Sequence, residues 1–159
     1  MIILTIQGAG KTYAAQNINN VTDVDIKDYR NVDDYVNVLN FLNDEAHQEN
    51  SFFLGNASYE VTEKLLEKGH KVVIFAPFKD LMSEDEYQMT KELLFGRYVL
   101  RKRQTPQNVG WIEKMKENFD NYCNISLYSD LNDKYPGKLS LRVMNLSIPT
   151  VAAMIKKTK

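Results

Sequence analysis

The chain has one cysteine, Cys123, and two histidines, His47 and His70, among 159 residues. A lone cysteine excludes an internal disulfide, and these three side chains are too few for a Cys/His zinc site. Long apolar runs are missing as well: none approaches the roughly 20 residues that a membrane span requires. Neither charge dominates, since 20 lysines and arginines against 21 acids leave a net charge of −1. A chain so balanced has no overall attraction for nucleic acid, so any anion site must be local. No repeat, low-complexity tract or Pro/Gly/Ser linker divides it, which argues for a single domain over 1–159. The short apolar start, "MIIL", has no basic segment before it and does not read as a signal peptide. A cytoplasmic setting is the expectation.

What is present is an alternation of apolar strands and helices. "MIILTI", "VTDVDI", "SFFLGN" and "KVVIFAPF" read as strands. "ISLYSDL" is expected to be a further strand, and "GKLSLRVMNL" a weaker one at an edge. Between them lie helical segments: "KTYAAQNINN", "NVDDYVNVLNFLNDEAHQE", "SYEVTEKLLEKG", "SEDEYQMTKELLF" with Ser83 as N-cap, and "NVGWIEKMKENFDNY". "SIPTVAAMIKKTK" follows as a helix with Pro149 near its first turn. Apolar strands separated by helices imply a mostly parallel sheet covered on both faces, with ligands bound at the strands' C-terminal edge.

At that edge stands "TIQGAGKT", Thr5 to Thr12. It matches the phosphate-loop pattern G-x-x-x-x-G-K-[ST] except that Thr5 takes the first glycine's place. Gly8 and Gly10 allow backbone N–H groups to turn toward phosphate oxygens. Gln7 through Thr12 would form the cradle, including Ala9, with Lys11 reaching the β- and γ-phosphates and Thr12 ligating magnesium. The following helix adds its positive end. The competing reading is a tight strand–helix turn that happens to contain GKT.

Three of the five arginines fall in "GRYVLRKRQTP": Arg97, Arg101 and Arg103. Arginines on a mobile segment stabilise a transferring phosphoryl group, and Gly96 and Pro106 bracket the cluster like hinges of a lid around 95–107. Alternatively the run is a solvated basic face paired with "SEDE". Asp25, closing the second strand, is placed to hold magnesium or orient an acceptor, whereas Asp23 is expected on the opposite face. Asn56 is a weaker strand-end candidate. Trp111 and Phe119 are expected in the core, and His70 in a turn.

The succession is similar to the small P-loop nucleoside-monophosphate-kinase-like (adenylate-kinase-like) proteins, especially those encoded by bacteriophages. It is carried by GKT and by Glu86, Tyr87, Arg97, Tyr98, Arg103, Asn108, Trp111, Ile112, Asn118, Phe119 and Asp120, over most of residues 1 to 125. The resemblance implies a three-layer P-loop fold with a small lid, and transfer of the ATP γ-phosphoryl group to a nucleotide with Mg²⁺. Lys11 and Thr12 would hold the donor, and lid arginines the transferring group. Arg30 is the only upstream arginine that could meet an acceptor phosphate. A second reading is a P-loop protein of little or no activity that binds a nucleotide or a host protein. A polynucleotide kinase is disfavoured by the balanced charge.

Overall fold

A computed structural model describes residues 1–45, 51–101 and 105–158. Among them lie five strands, β1 (Ile2–Thr5), β2 (Val21–Asp23), β3 (Phe52–Asn56), β4 (Val72–Ala76) and β5 (Leu139–Val143). Seven helices accompany them: α1 (Lys11–Asn17), α2 (Val32–Asp44), α3 (Tyr59–Glu67), α4 (Glu84–Arg101), α5 (Pro106–Tyr122), α6 (Ser129–Lys134) and α7 (Val151–Thr158). The strands form one sheet in the order β2-β3-β1-β4-β5, and every pairing is parallel. No helix among the described residues is long and apolar enough to cross a membrane.

The alternation of side chains along β1 explains the layering. Ile3 joins a core with Ala14 of α1, Tyr87, Leu94 and Tyr98 of α4, Ile112 and Phe119 of α5, and the apolar face of α7. Its neighbours Ile2 and Leu4 join a second core with Tyr35, Val36 and Leu39 of α2 and Val61, Leu65 and Leu66 of α3. One sheet is thus covered on both faces, the expected α/β arrangement. Phe119 is buried as expected, and His70 sits at the entry to β4 between Asn40 and Asn43.

Two elements differ from their sequence reading. "ISLYSDL" is not a strand: it forms a 3₁₀ turn, Ile125–Leu127, and then α6. The Asn124 side chain accepts from the Ser126 amide and sets the turn, after which Tyr128 and Leu131, three apart, face the core. The neighbour β4 acquires is instead the edge strand β5. Pro149 lies just outside α7, because the Thr150 hydroxyl accepts from the Ala153 amide at 3.1 Å and is the cap.

Candidate functional site

The glycine loop leaves β1 in the middle of the sheet. Thr5, at the position where the motif has glycine, is still strand: it pairs with Phe75, is fully buried, and its hydroxyl donates to the Phe75 carbonyl at 2.6 Å. The turn begins after it. Gly8 and Gly10 both take the left-handed conformation, at φ 81° and 82°. A Cβ on Gly8 would also stand 2.7 Å from the ring of Tyr98.

Three consecutive loop carbonyls are held from outside. The Tyr98 hydroxyl donates to Gln7 O at 2.6 Å, Arg97 Nη1 to Gly8 O at 2.9 Å, and the Val151 amide to Ala9 O at 2.9 Å. In a trans peptide the N–H points opposite to the preceding carbonyl. The amides of Gly8, Ala9 and Gly10 therefore turn away from α4 and α7, toward a cleft of about 240 Å³. Ala9 is not among the residues that line the cleft, and its methyl is in the core. The N-terminus of α1 opens on the same cleft.

Lys11 is 9 % exposed, and its ammonium makes no hydrogen bond or ion pair among the described residues. Burial pushes its pKa below the ordinary lysine value, against the attraction of Asp23 and Asp25. The Thr12 hydroxyl donates to Asp23 Oδ2 at 2.9 Å, while Asp23 Oδ1 is buried with no hydrogen-bond partner among the described residues. Both Asp23 and Asp25 line the cleft, which corrects the expectation that Asp23 faces away. Residues two apart on an extended chain share a face.

The acidic segment is itself fixed. The Tyr35 hydroxyl donates to Val24 O at 2.7 Å and accepts from the Asn56 amide at 2.9 Å. Asn56 Oδ1 accepts from the Ile26 amide at 3.0 Å, so Asn56 is an anchor of the segment. Asp25 caps the following 3₁₀ turn, Ile26–Asp28, with Oδ1 accepting from the Lys27 amide at 3.1 Å. Its Oδ2 lies 3.5 Å from the exposed Lys27 ammonium.

The arginines divide. Arg97 is committed to structure: the nitrogen that holds Gly8 O also donates to Pro149 O at 2.9 Å, and it does not line the cleft. Arg101, the last residue of α4, does line it. Arg103 lies outside the described residues, and Arg30 is exposed and outside the cleft. The expected hinge residue Gly96 is helical, inside α4, and Pro106 opens α5. Two aromatics complete the cleft. Tyr98 and Trp111 line it and meet edge-to-face at 5.4 Å, so Trp111 faces the site as well as the core. The sequence marks both only through the family resemblance, and their role at the cleft follows from α4 lying on the loop.

A second cleft of about 300 Å³ adjoins through Gln7. It is lined by Ile6, Ala57, Ser58, Tyr59, Met115 and Tyr128, among others, and no charged side chain is among them. No protein family, curated protein or solved structure matches the chain.

Proposed function

We propose that the glycine-loop cleft binds Mg-ATP and that the protein transfers the γ-phosphoryl group to a nucleotide-type acceptor. The observation that carries this reading is a buried Lys11, whose ammonium has no hydrogen-bond or ion-pair partner among the described residues, beside the glycine loop in one cleft, an arrangement suited to an anion. It supports a P-loop identity for the fold. The buried orphan oxygen of Asp23, beside the Thr12 hydroxyl, fits a cation. Thr12 and Asp23 would hold the magnesium ion, with Asp25 close by, and the ion would neutralise charge on the β- and γ-phosphates. Arg101, the described arginine that lines the cleft, would meet the transferring group. Catalysis here rests on positioning and charge stabilisation.

The test is a thermal-shift titration of wild type and Lys11→Ala with ATP, with and without magnesium. A ligand that binds only the folded state raises Tm by mass action. A magnesium-dependent rise with ATP that Lys11→Ala removes is expected. No rise with any nucleotide would retire the reading.

One observation favours a second reading, a module that binds a host protein. Met89, Leu93 and Leu100 fall at helical spacing along α4 and are 54, 38 and 88 % exposed. Co-purification that Leu100→Lys abolishes, from a protein that transfers no phosphate, would support it.

A further inference from the structure

Resting on the Mg-ATP reading above, we infer that the second cleft seats the nucleobase of the acceptor and that Tyr128 reads the edge of that ring. Its placement beside the glycine loop is the first support. Gln7, in the loop, lines both clefts. Trp111 lines the first, and Met115, one helical turn further along α5, lines the second. One side of α5 thus runs past both. A ligand seated in the second cleft has its near end at the loop where the donor phosphates would lie.

The lining offers two kinds of surface. Ile6, Met115 and Leu127 present apolar atoms, which suit the faces of a flat ring, the methionine sulfur included. Asn56 and Tyr128 bring polar atoms for its edge. Asn56 is held by Oδ1, which accepts from the Ile26 amide at 3.0 Å, and that leaves Nδ2 as a donor.

Tyr128 is the sharper signal. Its ring is packed in the core with Leu131, and the residue is only 2 % exposed. The 3₁₀ turn before it fixes its place, since its amide donates to Ile125 O at 3.0 Å. Its hydroxyl makes no hydrogen bond among the described residues. There, the one fully enclosed side-chain polar atom without a partner is Asp23 Oδ1, so the Tyr128 hydroxyl is open, and the cleft is what it opens on. A phenylalanine would fill the same space in the core. The hydroxyl adds a donor and an acceptor that the fold does not use, and a nucleobase edge carries partners for both.

The experiment measures binding to the full chain by calorimetry, with and without magnesium and a non-hydrolysable ATP analogue. The ligands are adenosine, guanosine, cytidine, uridine and thymidine, their 5′-monophosphates, and ribose 5-phosphate as the ringless control. Wild type is compared with Tyr128→Phe and Met115→Lys. One base should be preferred, and ribose 5-phosphate should bind more weakly than that base's monophosphate. Tyr128→Phe should reduce the preference about tenfold, the worth of one hydrogen bond. The ligand-free Tm should hold or rise, because no hydrogen bond within the fold is lost. Met115→Lys should weaken every ligand that carries a base.

Binding without base preference, or none at all, would overturn the inference, as would a preference that survives Tyr128→Phe. A Tyr128→Phe protein that loses affinity for ATP but not for tripolyphosphate would assign the ring to the donor and also overturn it. If Mg-ATP gives no Tm shift, the earlier reading fails. It fails alone when a Tyr128-dependent base preference persists without ATP, and both fail when none does.

Discussion

Arg97 and Gly8, 89 positions apart, are joined by a hydrogen bond of 2.9 Å from Nη1 to the loop carbonyl. The same nitrogen reaches Pro149 O, so one guanidinium sets the glycine loop against the segment that leads into α7. Burial lowers its pKa from the arginine value.

Arg97→Met should therefore act on the fold before it acts on any reaction. Two carbonyls lose a charged donor, at a cost of about 1.5–3 kcal/mol. Tm of the ligand-free protein should fall by several degrees, and ATP affinity should weaken because the loop amides are no longer aimed. An arginine that contacted only phosphate would leave the ligand-free Tm where it was. Calorimetry of the two proteins without nucleotide decides between these.

Gly55 gives a second, coupled case. A Cβ there would stand 2.6 Å from the Tyr35 hydroxyl and 2.9 Å from Leu4 Cδ2. Gly55→Ala must displace the hydroxyl that positions Val24 between Asp23 and Asp25. It should destabilise by about 1–3 kcal/mol, as overpacking generally does. Tyr35→Phe removes the closest clash, so the double variant should lose less than the two single losses added. Urea midpoints of the four proteins measure the coupling, and strict additivity would count against this route to the acidic segment.

Stability should decline above pH 9. Burial raises Cys123 from 9.0 to about 12 and Tyr128 to about 12. Burial also raises Tyr35, Tyr87 and Tyr98, and in Tyr87 a hydrogen bond to Asp120 adds to it. These groups stay protonated in the native chain while the unfolded chain loses their protons near the ordinary values, so the native state binds more protons as pH rises. Their contribution is complete below pH 9 and drains away toward pH 12. Lys11 and Arg97, shifted downward, work in the opposite direction, but they are two groups against five. Denaturant midpoints at pH 8, 9.5 and 10.5 should fall in that order, and a flat series would show the shifts to be wrong.

Much of this architecture could be read from the sequence, for reasons that belong to particular segments. "KVVIFAPF" and "SFFLGN" are strands buried on both faces, so their apolar runs are unbroken. The caps at Ser58 and Ser83 are where hydroxyls precede helical spacing. The glycine loop was visible because few residues tolerate φ near +80°. Other features were not local. Tyr98, Trp111 and Arg97 gain their roles only when α4 lies across the loop, which depends on contacts spanning some 90 residues. Asp23 was legible in principle, since strand alternation puts it beside Asp25. "ISLYSDL" failed because its apolar residues suit either period, and the Asn124 turn decided which one prevailed.

The frame around the glycine loop has a consequence for the order of synthesis. Residues 8 and 9 are made well before the groups that hold them, which include Pro149 O, through Arg97, and the Val151 amide. Until about 140 further residues have followed, the loop has only the donors of α4 to shape it, and before those it has none. The loop therefore cannot take its final shape until the segment around Val151, some 140 residues further on, has been made.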